Sequence, residues 1–129
     1  MKLTIIRGLP GSGKSTMAKD IGCFHVEADM FHFVNGKYQF KPENKGYAHR
    51  WCKSAVSFGL SNGMDVVVSN TFTTKDEIEP YLVCAKESGA DIEIIRMTAN
   101  YGNIHNVPTI VLEQMKERFE DVDGEQIYT

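Results

Sequence analysis

One short stretch near the amino terminus, Gly8-Leu9-Pro10-Gly11-Ser12-Gly13-Lys14-Ser15, limits what this chain can fold into. It fits the P-loop pattern, in which a glycine is followed by four residues and then by Gly-Lys-Ser or Gly-Lys-Thr. The pattern has meaning only between a strand and a helix. Residues 2–7 are rich in strand-forming side chains, and residues 16–21 are compatible with a helix. The sequence therefore predicts a strand, a phosphate-binding loop and a helix, in that order.

The residue types of this stretch suit a nucleoside triphosphate. Glycines let backbone N–H groups approach the phosphates and adopt positive φ, and the following helix start adds a positive dipole end. Lys14 is predicted to reach the β- and γ-phosphates, and Ser15 to place its hydroxyl on Mg²⁺. The predicted cofactors are thus ATP and Mg²⁺. The predicted ATP-binding residues are Gly8, Gly11, Ser12, Gly13, Lys14, Ser15 and Thr16.

Composition narrows the class of protein. A chain of 129 residues with 42% hydrophobic and 24% charged residues is typical of one soluble domain, here residues 1–129. The net charge of −3 disfavours a broad basic coat for duplex nucleic acid. Cys23, Cys52 and Cys84 show no paired spacing, which favours free thiols in a reducing cytoplasm. No signal peptide is indicated, and no apolar run approaches the roughly 18 residues of a membrane span.

Strands and helices are predicted to alternate along the chain. Such alternation indicates an α/β fold, here the three-layer P-loop NTPase type, with about four mostly parallel strands and helices on both faces. In the second helix, Tyr47, Trp51, Ala55 and Phe58 share helical spacing and are predicted to face the core. The acidic tail is expected to fray or to add a short edge strand. The predicted strands are residues 2–7, 23–28, 64–69 and 91–96, and the later helices are residues 43–60, 74–88 and 108–118.

Ligands of parallel α/β sheets bind at the carboxyl ends of the strands. Asp29 lies at the end of the second predicted strand, where its carboxylate would accept a proton from an incoming hydroxyl. We therefore predict Asp29 and Lys14 as the catalytic residues. The third strand ends in Ser69-Asn70-Thr71 without an acid, which argues against a motor ATPase. Asn70 and Thr71 either contact phosphate or acceptor, or only cap the loop.

The segment of residues 37–53 is locally basic and aromatic. It carries five lysines and arginines against one acid, Glu43, with aromatic side chains between them. Cations beside stacking surfaces suit a nucleic-acid strand or a nucleotide. The other reading, a core helix face with solvated lysines, is preferred for Tyr47 and Trp51. The residues predicted to contact the acceptor are His32, His49, Arg50, Asn70 and Thr71.

Taken together, these stretches resemble the polynucleotide-kinase-like P-loop kinases, which include phage polynucleotide 5′-kinase domains and related AAA-type ATP-binding proteins. The P-loop alone indicates only nucleotide binding, and the order of the later stretches selects the family. The matching residues are Arg7 to Thr16, Ala28-Asp29 with Phe31, Gly36, Tyr38, Phe40, Pro42, Ala48-His49-Arg50-Trp51, Ser69-Asn70-Thr71 and His105-Asn106-Val107-Pro108.

The resemblance implies phosphoryl transfer from ATP to a hydroxyl, often a nucleic-acid 5′-hydroxyl, with Asp29 as the base. Two positions depart from it. Met30 stands where members commonly carry a second acid, and residues 99–104 lack the usual lid arginine, for which Arg96, Arg118 or a partner protein would have to substitute. These departures leave two alternatives open. One is an ATP-binding module that hydrolyses slowly and works through a protein partner, and the other is a small-molecule kinase, for example for a sugar nucleotide.

Overall fold

The computed structural model of the protein describes residues 1–102 and 106–129. Short 3₁₀ helices cover Ala28–His32 and Pro42–Asn44. In chain order the other elements are β1 (Lys2–Gly8), α1 (Lys14–Ile21), β2 (Phe24–Val26), β3 (Phe33–Val34), β4 (Lys37–Tyr38), α2 (Lys45–Ser61), β5 (Val66–Asn70), α3 (Lys75–Ser88), β6 (Asp91–Met97), α4 (Thr109–Arg118) and β7 (Gln126–Tyr128).

The described residues form a five-stranded sheet with the order β2-β5-β1-β6-β7. All of its pairings are parallel, so the carboxyl ends of its strands lie at one edge. The predicted α/β fold is confirmed, with one strand more than the four expected. The additional strand is β7, which the acidic tail adds beside β6 with Ile95 opposite Gln126.

Alternation along the strands produces a core on each face of the sheet. Leu3 and Ile5 of β1 pack with the buried side chains of α2 and α3. Ile6 follows Ile5 in the chain and packs on the opposite face of the sheet with Ala18 of α1. Helices cover both faces of the sheet. The first four residues of β5 are therefore buried, and its first three are all valine, as expected of a buried parallel strand.

The predicted core face of α2 is wrong for its three aromatic residues, whereas Ala55 is partly buried and packs against the core. The buried residues of this helix are Ala48, Cys52, Val56, Gly59 and Leu60, whereas Tyr47, Trp51 and Phe58 are exposed. Close packing explains the choice: a Cβ added at Gly59 would lie 2.7 Å from a Val66 methyl group. Small side chains let the helix approach the sheet, and the large aromatic rings therefore face outward.

Residues 33–38, expected to be a loop, form a β-hairpin. Phe33 pairs with Tyr38 across the turn Asn35-Gly36, where both φ angles are positive at 51° and 78°. These angles are those of the two-residue turn that Asn-Gly favours. Before the hairpin, Phe31 of the 3₁₀ helix contacts Trp51 of α2, with ring centroids 6.3 Å apart. Within the described part of the chain, no helix has the length and apolarity needed to cross a membrane.

Candidate active site

The P-loop joins β1 to α1 in the conformation that its glycines permit. Gly11 and Gly13 have φ of 81° and 94°, which L side chains rarely adopt. Gly13 caps α1, and no side chain caps that helix or places an acid in its first turn. The amides at this helix start are therefore available to an anion, and the positive end of the helix dipole favours one. The loop fits a polyphosphate.

Lys14, the first residue of α1, folds back over this loop. Its ammonium donates a hydrogen bond to the Leu9 carbonyl at 2.9 Å. Burial lowers the pKa of Lys14 to about 8, while the negative charges of Glu27 and Asp29 oppose that shift. Both carboxylates therefore lie near enough to the ammonium to act on it. The structure thus gathers one cation and two anions at the ends of β1 and β2.

Glu27 is the member of this group that the sequence analysis missed. Its Oε1 atom accepts hydrogen bonds from Ser15 Oγ at 2.6 Å, Ser69 Oγ at 2.7 Å and His25 Nε2 at 2.9 Å. Burial raises the pKa of this carboxyl, but the three hydrogen bonds outweigh burial and lower the pKa to about 2. Glu27 is therefore ionised at neutral pH and lies directly beside the P-loop serine.

This carboxylate explains the missing acid of the third predicted strand. Ser69 occupies the end of β5, and its hydroxyl donates to the carboxylate that β2 supplies. The acid thus comes from a neighbouring strand. A signal was present in the sequence, because Glu27 precedes Asp29 by two residues at the same strand end. A hydroxyl and an ionised carboxylate in contact are oxygen ligands of the kind Mg²⁺ takes. Ser15 and Glu27 fit such an ion.

Asp29 lies in the 3₁₀ helix Ala28–His32 and is half-buried. The Tyr38 hydroxyl donates to Asp29 Oδ1 at 3.4 Å. Burial raises the pKa of Tyr38 to about 12, and the charge of Asp29 adds to this. The start of the 3₁₀ helix is held by Asn70, whose Oδ1 accepts from the Ala28 N–H at 2.9 Å. Asp29 is thereby positioned near Lys14 from the β2 side.

The five predicted acceptor contacts occupy different places. His49 has an exposed side chain on α2; partial desolvation and the charge of Lys45 lower its pKa, and the charges of Glu77 and Asp29 oppose that shift. Arg50 is exposed and stacks on Tyr47, 4.6 Å from the ring centroid. Thr71 is half-buried and its carbonyl accepts from the Gly8 N–H at 3.2 Å.

His32 is buried and Asn70 is half-buried. His32 is buried in an aromatic cluster, with its ring centroid 4.9 Å from that of Phe40. The Asn70 side chain bonds the Ala28 amide and donates to Cys52 Sγ at 3.6 Å, so it joins β5 to its neighbours. Both side chains thus contribute contacts within the fold, and their contact with an acceptor stays a prediction.

The segment after β6 lies against the P-loop. The Tyr101 N–H donates to the Gly11 carbonyl at 2.7 Å, and a Cβ on Gly11 would collide with the Gly102 carbonyl. The expected lid stretch includes Asn103, Ile104 and His105, which lie outside the described residues. Arg96 and Arg118 are the residues proposed to substitute for a lid arginine.

Arg96 and Arg118 both make contacts that support the fold. Arg96 pairs with Asp121 at 2.5 Å and stacks on Phe119 at 4.7 Å. Arg118 donates from Nε to Thr73 Oγ1 at 3.0 Å. Arg96 also lines a pocket together with Leu9 and Ser12 of the P-loop. Because both guanidiniums are engaged by other side chains, the charge that a lid arginine would supply is not assigned to either residue.

Comparison with known proteins places this geometry in a family. A family model described as an AAA domain (AAA_33) matches residues 3–101. Human NEDD4-binding protein 2 is 23% identical over 94% of the chain, which spans only 9% of that protein's length. An uncharacterized protein of Pasteurella multocida is 31% identical over 88% of the chain and 73% of its own length.

Solved structures share the fold at low identity. An unliganded sugar kinase from Janibacter has a TM-score of 0.69 at 13% identity, covering 99% of this chain and 84% of its own. A chain of the Pnkp1/Rnl/Hen1 RNA repair complex has a TM-score of 0.63 at 24% identity, covering 91% of this chain and 36% of its own. At these identities the likeness concerns the fold, which is that of P-loop kinases.

Proposed function

The chain belongs to the AAA domain family AAA_33, and from this premise we propose that it transfers the γ-phosphoryl group of ATP to a hydroxyl of a nucleotide-like acceptor, foremost a polynucleotide 5′-hydroxyl. The observation that carries the proposal is the grouping at the P-loop: the charges of Glu27 and Asp29 both act on the Lys14 ammonium. A cation for the phosphates and a carboxylate for the acceptor are two of the groups that phosphoryl transfer uses.

The proposed step forms one bond to phosphorus, breaks another and moves one proton. The acceptor oxygen attacks the γ-phosphorus, the bond to the bridging β–γ oxygen breaks, and ADP leaves. Asp29 takes the proton of the acceptor hydroxyl. Lys14 leaves the Leu9 carbonyl, which it contacts at 2.9 Å, and pairs with the β- and γ-phosphates. The amides of the P-loop and of the α1 start hold the remaining phosphate oxygens.

Ser15 and Glu27 are the residues that would hold Mg²⁺. When bound, the ion neutralises charge on the β- and γ-phosphates. Glu27 is ionised and accepts a hydrogen bond from the Ser15 hydroxyl at 2.6 Å. An anionic oxygen therefore lies beside the hydroxyl that would bind the ion. His25 and Ser69 hold the carboxylate from its other side, at 2.9 and 2.7 Å, and thereby fix its direction.

Replacing Glu27 with glutamine is expected to raise the Mg²⁺ concentration needed for half-maximal ATP binding by about 10-fold, the size of effect seen for groups that support metal ligands. Glutamine keeps the shape but loses the charge that attracts the ion. Equilibrium binding of ATP across a Mg²⁺ titration measures this effect without reference to turnover. Glu87→Gln, an exposed change on α3, is the matched control. An unchanged Mg²⁺ requirement in Glu27→Gln would remove this residue from the metal site.

The proposed function is tested by incubating the protein with γ-labelled ATP, Mg²⁺ and a panel of acceptors. The panel contains 5′-hydroxyl DNA and RNA oligonucleotides, nucleosides, sugar nucleotides and gluconate. We expect label on the oligonucleotides, and its loss in Lys14→Met. The control is Lys86→Met, which removes a lysine from the last turn of α3.

The other outcomes of the panel contradict the proposal in distinct ways. ATP binding without label on any acceptor would indicate a binding module that acts through a partner. Label confined to sugars or sugar nucleotides would indicate a small-molecule kinase. Failure to bind ATP with Mg²⁺ would overturn the assignment of the P-loop itself.

A further inference from the structure

One surface of the molecule is unusually rich in exposed aromatic side chains. Five of them are between 36% and 56% exposed, although rings of this size are normally found in the core. Together with the half-buried Tyr38 they form what we call the aromatic face. Its residues are Phe31, Phe33, Tyr38, Phe40, Tyr47 and Trp51.

The aromatic face is continuous rather than scattered. Phe31 contacts both Trp51 and His32, with ring centroids 6.3 and 6.0 Å apart. The buried His32 ring in turn contacts Tyr38 and Phe40 at 6.1 and 4.9 Å. The exposed rings are thus linked to one another directly or through the buried His32, and a cluster of exposed apolar side chains, unlike single ones, marks an interaction site.

Further contacts extend this surface to Asp29, the proposed base, on one side and along α2 on the other. Phe33 of the hairpin packs on Tyr38 at 5.4 Å, and the Tyr38 hydroxyl reaches Asp29. Tyr47 lies four residues before Trp51 on α2, so the two share one side of the helix. A ligand lying on these rings would therefore have one end at the proposed base.

The charge around the aromatic face is positive although the whole chain has a net charge of −3. Within residues 37–53 the only acid is Glu43, against five cations that are all exposed. The guanidinium of Arg50 lies over the Tyr47 ring, 4.6 Å from its centroid. The cations are Lys37, Lys41, Lys45, Arg50 and Lys53.

We propose that the aromatic face binds the unpaired bases of a single-stranded polynucleotide, with its phosphates paired to the surrounding cations and its 5′ end at Asp29. This inference rests on the proposed function, since it names the form of the acceptor. Exposed rings stack on any base, and neighbouring cations follow the phosphates. In a duplex the bases are stacked on each other and hidden from the rings. The acceptor is therefore a strand with several unpaired bases.

The single tryptophan of the chain makes the proposal directly measurable. Trp51 belongs to the aromatic face, so oligothymidylate of about ten nucleotides, within the range of site sizes for single-strand-binding folds, should quench its fluorescence in a saturable manner. The titration is done without ATP. Phe33→Ala and Tyr47→Ala should each weaken binding about 10-fold. The matched control is Phe58→Ala, which removes an exposed ring of α2 outside the aromatic face.

Several results would overturn the proposal. One is the absence of both quenching and anisotropy change with a labelled oligonucleotide. Others are equal binding of a duplex, equal competition by polyphosphate, which has charge but no bases, or an equal loss in Phe58→Ala. Binding of a protein or peptide at Trp51 without binding of the strand would assign the surface to a protein partner. Transfer of label to a nucleoside, with no strand binding, would overturn this inference and leave the proposed function standing.

Discussion

Replacing Asp29 with asparagine is expected to lower the rate of phosphoryl transfer by about 10²–10⁴-fold, the contribution of a positioned general base. Asparagine is nearly isosteric and its Oδ1 still accepts the Tyr38 hydroxyl, which the aspartate receives at 3.4 Å. The amide cannot take the proton of the acceptor. ATP affinity should be retained, because Asp29 acts on Lys14 only as a nearby negative charge. Single-turnover transfer and equilibrium ATP binding measure the two effects separately.

The matched control for this substitution is Asp20→Asn, an exposed change in the last turn of α1. It should transfer phosphate at the rate of the unaltered protein. If Asp29→Asn also does so, Asp29 is not the base. Glu27 would then be the remaining carboxylate near Lys14, although its three hydrogen bonds and pKa of about 2 make it a poor proton acceptor.

The parts of the site that follow from local patterns were predictable. A P-loop is one contiguous stretch, and the positive φ angles of Gly11 and Gly13 follow from the same residues that bind phosphate. The position of Asp29 near Lys14 depended only on the order of strands and helices. A parallel sheet brings all carboxyl strand ends to one edge, so the acid after β2 lies at the same edge as the P-loop, although β5 lies between β2 and β1.

The role of Glu27 was not predictable by the same argument, because it depends on register. The carboxylate is oriented by Ser69, which lies 42 residues away, and the pairing of Val26 with Val68 brings the two together. The family resemblance directed attention to the position after Asp29, where this chain has Met30. The second carboxylate lies on the other side, two residues before Asp29.

Periodicity misled the interpretation of α2 because two faces of this helix share helical spacing. Tyr47, Trp51 and Phe58 have the larger apolar surface, which favoured them as core residues. The structure buries Ala48 and Cys52 instead, since only small side chains allow the close approach seen at Gly59. Size decided the packing, and a hydrophobic pattern without volumes does not contain that information.

Arg7 shows how a residue adjacent to the P-loop serves stability, and Arg7→Met is expected to lower the free energy of unfolding by about 3–5 kcal/mol. Arg7 is fully buried at the end of β1. Its guanidinium pairs with Glu125 at 2.7 Å and donates to the carbonyls of Phe72 and Glu120, both at 2.8 Å. It also stacks on Phe119 at 4.3 Å. One side chain thus joins β1, the loop after β5 and the segment before β7.

The loss is large because methionine leaves a carboxylate buried without its main partner. The Glu125 side chain is 6% exposed, and among the described residues it keeps a longer contact with Arg96, at 3.4 Å, and a hydrogen bond from the Val122 amide. Urea denaturation measures the change, and Arg50→Met is the control, since an exposed arginine contributes about 1 kcal/mol or less. Adding Glu125→Gln to Arg7→Met should restore part of the stability, because it removes the uncompensated charge. If Arg7→Met alone unfolds at the same urea concentration as the unaltered protein, the buried pair does not hold the carboxyl-terminal segment, and β7 must be retained by its strand pairing with β6.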